Sequence, residues 1–143
     1  MKIMGENMYY EEKTYKSFIL ILVLTFIVAI GAIFIIRNLE IEEYIAIKIM
    51  FLIITNSLLI ISNIIYKKER LYWINKYTYE NVKSMSKEER KQIAKKFYNK
   101  FKFFCLILVI YCIIGLFIKT HIFLDVLVYI TCLVIGAAIS TYN

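Results

Sequence analysis

The chain has 143 residues, of which 61% are hydrophobic, and it carries 18 Lys and Arg against 11 Asp and Glu. An ordinary soluble domain has about 45–50% apolar residues, and here the excess lies in long blocks with few charges rather than at the spacing of an amphipathic helix. The blocks argue against a water-soluble domain. The net charge of +7 indicates an anionic membrane surface as the partner rather than nucleic acid.

Four blocks are long enough to cross the hydrocarbon core of a bilayer, which is about 30 Å thick and takes about 20 helical residues. Because a backbone in lipid must satisfy its own hydrogen bonds, each block is predicted to be a helix. In chain order we expect a tail, a transmembrane hairpin, a basic loop and a second transmembrane hairpin, at 1–17, 18–66 (spans 18–36 and 44–66), 67–100 and 101–143 (spans 101–118 and 122–140). The predicted fold is therefore an all-α membrane protein with two antiparallel hairpins and a basic amphipathic cytosolic helix that leads into the third span.

The distribution of positive charge predicts the orientation. Most Lys and Arg lie in the loop over 67–100, and the tail adds Lys2, Lys13 and Lys16. The link between the first two spans is acidic. Positive residues favour the cytoplasmic side, so both termini and the basic loop are expected in the cytoplasm of a multi-pass protein of the cell membrane.

Lys48 and Asp125 are charged residues inside the blocks, each about one turn below the predicted outer face. A charge at the centre of a spanning helix costs on the order of 2.5–3.5 kcal/mol, and less near the edge. We therefore predict an intramembrane Lys48–Asp125 ion pair, with His121 as a further member. The alternative is that each side chain reaches the headgroups alone, with more than about 6 Å between the two charges.

Smaller polar and compact residues suggest how the helices pack. Asn56 and Asn63 are seven residues apart and share a face, which is expected to point at other helices. Gly136 and Ser140 have the spacing at which small residues let transmembrane helices approach closely. The Cys residues are expected to be apolar packing groups, not a disulfide framework or a zinc site: Cys105, Cys112 and Cys132.

The basic loop contains a helix signal. Ser86 and Glu89 match a capping box, and Thr78 is a second candidate cap upstream. The helix from Ser86 has one apolar stripe and one basic face, so we predict a surface for anionic headgroups or, alternatively, a protein partner, formed by Ile93, Phe97, Phe101, Lys91, Lys95 and Lys96. Nucleic acid is not expected as a partner, because no binding motif accompanies the charge.

The loop also carries a resemblance. The stretches LYWIN at 71–75, YTYE at 77–80 and MSKEER at 85–90 resemble small uncharacterised four-helix membrane proteins of low-GC Gram-positive bacteria, which have a similar MS-x-EER stretch between hydrophobic helices. The resemblance covers about 30 residues of the chain. It implies a membrane location and a cytosolic loop, and it implies no activity.

The sequence predicts no enzyme, cofactor or metal site. One His and one intramembrane carboxylate are too few for a catalytic metal, and no Gly-rich phosphate loop occurs. We expect a membrane module that acts by interaction with lipid, with further copies of itself or with a membrane protein partner, as an immunity protein, a sensor or an accessory subunit. The alternative is a small transporter or pore with a site at Lys48 and Asp125. The chain resembles small multidrug transporters in size and number of spans, but it lacks the carboxylate that those transporters share in the first span.

Overall fold

The structure, a computed structural model, describes residue 10 and the ranges 12–74 and 76–142. These residues form five α-helices and one short 3-10 turn, without a strand. The elements are α1 (Lys16–Asn38), α2 (Glu43–Lys68), the 3-10 turn (Leu71–Trp73), α3 (Tyr79–Ser84), α4 (Lys87–Gly115) and α5 (Ile122–Thr141). Four of the helices, α1, α2, α4 and α5, are long and apolar enough to cross a membrane.

The helix boundaries follow the apolar blocks closely, with one difference. The predicted spans at 18–36, 44–66 and 122–140 lie within α1, α2 and α5. The third span was predicted to run to residue 118, but α4 ends at Gly115, where the Leu116 N–H donates to the carbonyls of Cys112 and Ile113. The three residues 119–121 are too few to reverse the chain, so the turn also uses apolar residues before them.

Side-chain caps start the two helices of the loop, as the sequence predicts. Ser86 Oγ accepts a hydrogen bond from the Glu89 N–H at 3.2 Å, and Thr78 Oγ1 accepts one from the Asn81 N–H at 3.2 Å. Such caps pair amide groups that the first turn of a helix leaves without a partner. From its cap, α4 continues without a break from polar into apolar sequence.

The long helices pack around α2. Helix α2 lies against α4 and α1, and α5 packs mainly against α4. Their core contains Phe51, Leu108, Cys112 and Tyr129. Helix α1 packs on α2 without burying any of its own residues. It is therefore the helix with the most surface available to lipid or to another protein.

The loop folds into a second core, here called the loop core. Its buried members come from the end of α2, the 3-10 turn, α3 and α4, and they are Ile61, Ile65, Leu71, Tyr72, Ile74, Val82 and Ala94. Ile93 and Phe97 are half-buried against this core, and Phe101 is 9% exposed. The apolar half of the predicted surface therefore lies inside the protein, because the chain after α2 turns back and covers the stripe.

The segment before α1 is attached to the loop core. The Thr14 N–H donates to Tyr72 Oη at 3.2 Å, and the Thr14 carbonyl accepts from Tyr72 Oη and from Trp73 Nε1, both at 3.1 Å. Phe18 packs edge-on against the Trp73 ring. These bonds hold the start of α1 and the end of α2 at the same end of the bundle.

Candidate functional site

The two charges predicted inside the membrane blocks lie together. Lys48 Nζ is 2.7 Å from Asp125 Oδ2, and neither side chain is accessible to solvent. Lys48 comes from the second turn of α2 and Asp125 from the first turn of α5. The distance is far below the limit of about 6 Å at which the charges would act separately.

Two hydroxyl groups complete this polar cluster, which we define as Lys48, Tyr111, Thr120 and Asp125. Thr120 Oγ1 is 2.6 Å from Lys48 Nζ and 2.8 Å from each carboxylate oxygen of Asp125. Tyr111 Oη donates to Asp125 Oδ1 at 2.6 Å. The carboxylate thus accepts from an ammonium and two hydroxyls, which compensates for its removal from water.

His121 does not have the role that the sequence suggested. Its Nδ1 atom accepts a hydrogen bond from the Phe123 N–H at 3.3 Å, as the cap of α5, and its side chain is exposed. Thr120, one residue earlier, lies between Lys48 and Asp125 instead. At the start of α5, the Thr120 side chain points inward and the His121 side chain points outward. The sequence therefore suggested the wrong residue as the partner of the ion pair, since Thr120 takes the place expected for His121.

Local backbone structure explains why these groups meet. The Asp125 N–H bonds to the His121 carbonyl in the first turn of α5, where a carboxylate is favoured by the helix dipole. On the opposite side, Gly115 at the end of α4 leaves space for the Lys48 side chain. A Cβ at Gly115 would lie 2.8 Å from Lys48 Cδ and still closer to Cε.

This contact predicts the effect of filling the space. We expect Gly115→Ala to lower the free energy of unfolding by about 1–3 kcal/mol, because the added methyl group overlaps the Lys48 stem and displaces the ammonium from Asp125. Unfolding in mixed micelles with increasing SDS, followed by far-UV circular dichroism, measures the change.

Gly31 provides the matched control. It lies in α1, and a Cβ there would meet no atom within 4 Å. Gly31→Ala should leave stability unchanged or raise it slightly, since Ala has the higher helix propensity. Equal losses in the two variants would contradict the role assigned to Gly115.

A second polar contact lies one to two turns deeper, where α2 and α5 again meet. Thr55 Oγ1 and Tyr129 Oη are 2.9 Å apart, and each also lies within hydrogen-bond distance of the Phe51 carbonyl. The Phe51 and Tyr129 rings stack with their centroids 3.9 Å apart. These residues add a second polar contact between α2 and α5. The sequence did not indicate this contact, because hydroxyl side chains are uncharged and do not stand out in an apolar block.

A cavity of about 410 Å³ lies beside the polar cluster at the end of the bundle where α2 and α5 begin. Its lining consists of Glu42, Glu43, Tyr44, Lys119, Thr120, His121 and Ile122. Lys119 Nζ lies 3.0 Å from Glu42 Oε2 across it. The hydrogen bond and the charge of Glu42 raise the pKa of the exposed Lys119 ammonium.

A second cluster of buried charge lies in the loop region, around Arg90, which is 5% exposed. Its Nε atom lies 3.0 Å from Glu69 Oε2, and Nη1 donates to the Met85 carbonyl at 2.6 Å. The guanidinium carbon is 4.6 Å from the centre of the Tyr10 ring, and Tyr10 Oη donates to the Glu69 carbonyl at 2.8 Å. Burial raises the pKa of the Tyr10 hydroxyl, so it stays a hydrogen-bond donor.

The basic half of the predicted loop surface is on the outside. Lys91, Lys95 and Lys96 are exposed on α4; Lys91 and Lys95 lie opposite the stripe of Ile93 and Phe97 that faces the loop core, and Lys96 lies at its flank. Within the described part of the chain, these three Lys residues form no ion pair. Their charge is therefore available to an external partner.

Chemically, the two buried charge clusters are arrangements of matched donors and acceptors. In the ranges that the structure describes, His, Cys, Asp and Glu side chains do not gather in groups of three that could hold a metal ion. Lys91, Lys95 and Lys96, here called the Lys face of α4, present charges that no described residue pairs. Comparison of the chain with protein-family models, with curated proteins and with solved structures finds no match.

Proposed function

We propose that the chain is a multi-pass membrane module that acts by binding rather than by catalysis, with the Lys face of α4 as its binding surface. The observation that carries this proposal is the exposure of Lys91, Lys95 and Lys96 on a helix whose apolar side is packed inside the protein. Roles of this class include an immunity protein, a sensor and an accessory subunit.

Contacts at the two ends of the bundle support the proposed topology of two antiparallel hairpins. Thr14 bonds to Tyr72 and Trp73 at one end, so the tail and the loop lie together. Lys48 and Asp125 meet at the other end, so α2 and α5 begin there. The basic tail and the basic loop would then share the cytoplasmic side, as the positive-inside rule requires.

Anionic lipid headgroups are the proposed partner of the Lys face. Lys96 lies about five residues, or about 8 Å along the helix, before Phe101, where the apolar block begins. Lys95 and Lys96 thus lie within a Debye length of about 8–10 Å, where the headgroup charge acts on them, whereas Lys91 lies about 15 Å before Phe101 and interacts more weakly. Each Lys near an anionic surface contributes about 1 kcal/mol of attraction.

This proposal predicts a lipid-dependent effect. In the variant Lys91→Gln, Lys95→Gln, Lys96→Gln, we expect the affinity of the full-length protein for phosphatidylglycerol to fall by about 10- to 100-fold, with phosphatidylcholine binding unchanged. Native mass spectrometry of lipids retained by the purified protein gives both values.

The charge-preserving variant Lys91→Arg, Lys95→Arg, Lys96→Arg is the matched control, and it should bind phosphatidylglycerol as the parent chain does. If the Gln variant retains phosphatidylglycerol equally well, the Lys face is not a headgroup surface. A protein that co-purifies only with the parent and Arg variants would instead favour a protein partner.

A small transporter or pore is the second candidate function, and one observation favours it. The cavity of about 410 Å³ is lined by Thr120, which bonds to both Lys48 and Asp125. Proton or solute flux into vesicles, compared between the parent chain and Asp125→Asn, separates this function from the binding module. Equal flux would exclude it.

A further inference from the structure

Asn56 is a polar residue with an exposed side chain at the middle of α2. It lies about 13 residues from Glu43 and about 12 from Lys68, hence nearly 20 Å along the helix from either end. The sequence suggested that Asn56 and Asn63 face other helices, but Asn56 is exposed and Asn63 only half-buried. Asn56 therefore occupies a position where the surroundings are hydrocarbon.

The hydrogen-bonding capacity of Asn56 is largely unused. Its Nδ2 atom donates to the Leu52 carbonyl at 2.8 Å, within its own helix. Among the described residues, no group donates to its Oδ1 atom or accepts its second amide hydrogen. Thr25 and Ser57, which lie nearby, are already bonded to each other at 2.7 Å. In lipid, such an amide gains by bonding to another helix.

Asn56 lies in a mainly apolar groove, whose other polar residues are Thr25 and Ser57. The groove has a volume of about 560 Å³ between α1 and α2 and is lined mainly by aliphatic residues, including Ile21, Leu24, Val28, Ile49, Ile53 and Ile60. Helix α1, which forms one wall, buries none of its residues. The groove can therefore accept the helix of another molecule without displacing any part of this one.

We propose that the occupant is a second copy of this chain, in a parallel dimer held by hydrogen bonds between the two Asn56 side chains. All copies in a membrane share one orientation, so a two-fold axis along the membrane normal brings identical residues to the same depth. A primary amide is its own complement, since it offers both a donor and an acceptor. A lipid acyl chain would fill the apolar walls but would leave the amide without a partner.

The energetic test uses the full-length chain in lipid vesicles. Association is measured by energy transfer between donor-labelled and acceptor-labelled copies over a range of protein-to-lipid ratios. Asn56→Leu should weaken dimerisation by about tenfold or more, whereas Asn63→Leu, which makes the same replacement on the same helix, should not. Equal association of Asn56→Leu and the parent chain would overturn the proposal, as would equal weakening by the two variants.

A cross-linking test keeps Asn56 in place, so it does not depend on how the Leu variants fold. In a chain with its three Cys replaced by Ala, we introduce Ile60→Cys in the groove and, separately, Ile139→Cys on α5. Ile60 and Ile139 are both exposed and lie at about the same distance from the starts of their helices. Bis-maleimide should link Ile60→Cys copies several-fold faster; equal rates, or no linking, would overturn the dimer.

Discussion

Asp125→Leu is expected to lower the free energy of unfolding by about 3–5 kcal/mol, because it leaves the Lys48 ammonium buried without its carboxylate. Thr120 Oγ1, at 2.6 Å, would be the remaining hydrogen-bond acceptor that the polar cluster offers to that ammonium. Lys48→Met should cost a similar amount, since it leaves the carboxylate buried with hydroxyl donors only. SDS unfolding in mixed micelles, monitored by circular dichroism, measures both losses.

The double variant Lys48→Met, Asp125→Leu gives a sharper result than either single change. Replacing both members of a buried ion pair by apolar groups is often neutral, so we expect the double variant to lie within about 1 kcal/mol of the parent chain. The coupling energy of the double-mutant cycle should then reach several kcal/mol. Additive losses would mean that the two charges act independently, despite the 2.7 Å between their atoms.

The Lys48–Asp125 contact could be predicted from sequence because the physics of lipid leaves few solutions. A charge is costly in hydrocarbon, and the predicted topology puts both residues one turn below the same face. Thr120 and Tyr111 could not be predicted in the same way. Neither the Tyr111 hydroxyl in an apolar block nor the Thr120 hydroxyl in the link after it carries a comparable cost, so nothing in the sequence marked which Thr and Tyr side chains face Asp125.

The loop shows a different limit of sequence analysis. The stripe of Ile93, Phe97 and Phe101 was predicted to be part of a surface for headgroups or a partner, whereas Ile93 and Phe97 pack against the loop core and Phe101 is buried. Periodicity does not distinguish a lipid surface from a protein surface, because both are apolar. The residues that cover the stripe belong to the same chain and include the 3-10 turn at Leu71–Trp73, in which Leu71 is completely buried. The spacing of residues in the sequence did not predict that contact.

The expectation that Asn56 faces other helices is not met within the single chain. Polar side chains in spanning helices tend to face other helices, and the single chain does not bury Asn56. The rule applies to every helix that surrounds the residue in the membrane, including helices of other molecules. The exposed amide is thus an argument for a further copy in the membrane rather than an exception to the rule.

Arg90→Ala should lower the free energy of unfolding of the loop by about 2–3 kcal/mol. The change removes the partner of the Glu69 carboxylate and the donor to the Met85 carbonyl, and it opens the contact with the Tyr10 ring. Hydrogen bonds to charged groups contribute about 1.5–3 kcal/mol each, and losses within one cluster are not additive. Arg90→Lys should restore only part of the loss, because a single ammonium cannot reproduce the planar fork of donors.

Hydrogen exchange locates the effect, since Arg90 joins the end of α2 to the tail before α1. In Arg90→Ala, the Thr14 amide, which donates to Tyr72 Oη, should exchange at least tenfold faster, while amides in the middle of α2 keep their protection. Gln92→Ala is the matched control, as Gln92 is exposed on the same turn of α4 and should change neither rate. Unchanged exchange at Thr14 in Arg90→Ala would mean that the tail is held by Tyr72 and Trp73 alone.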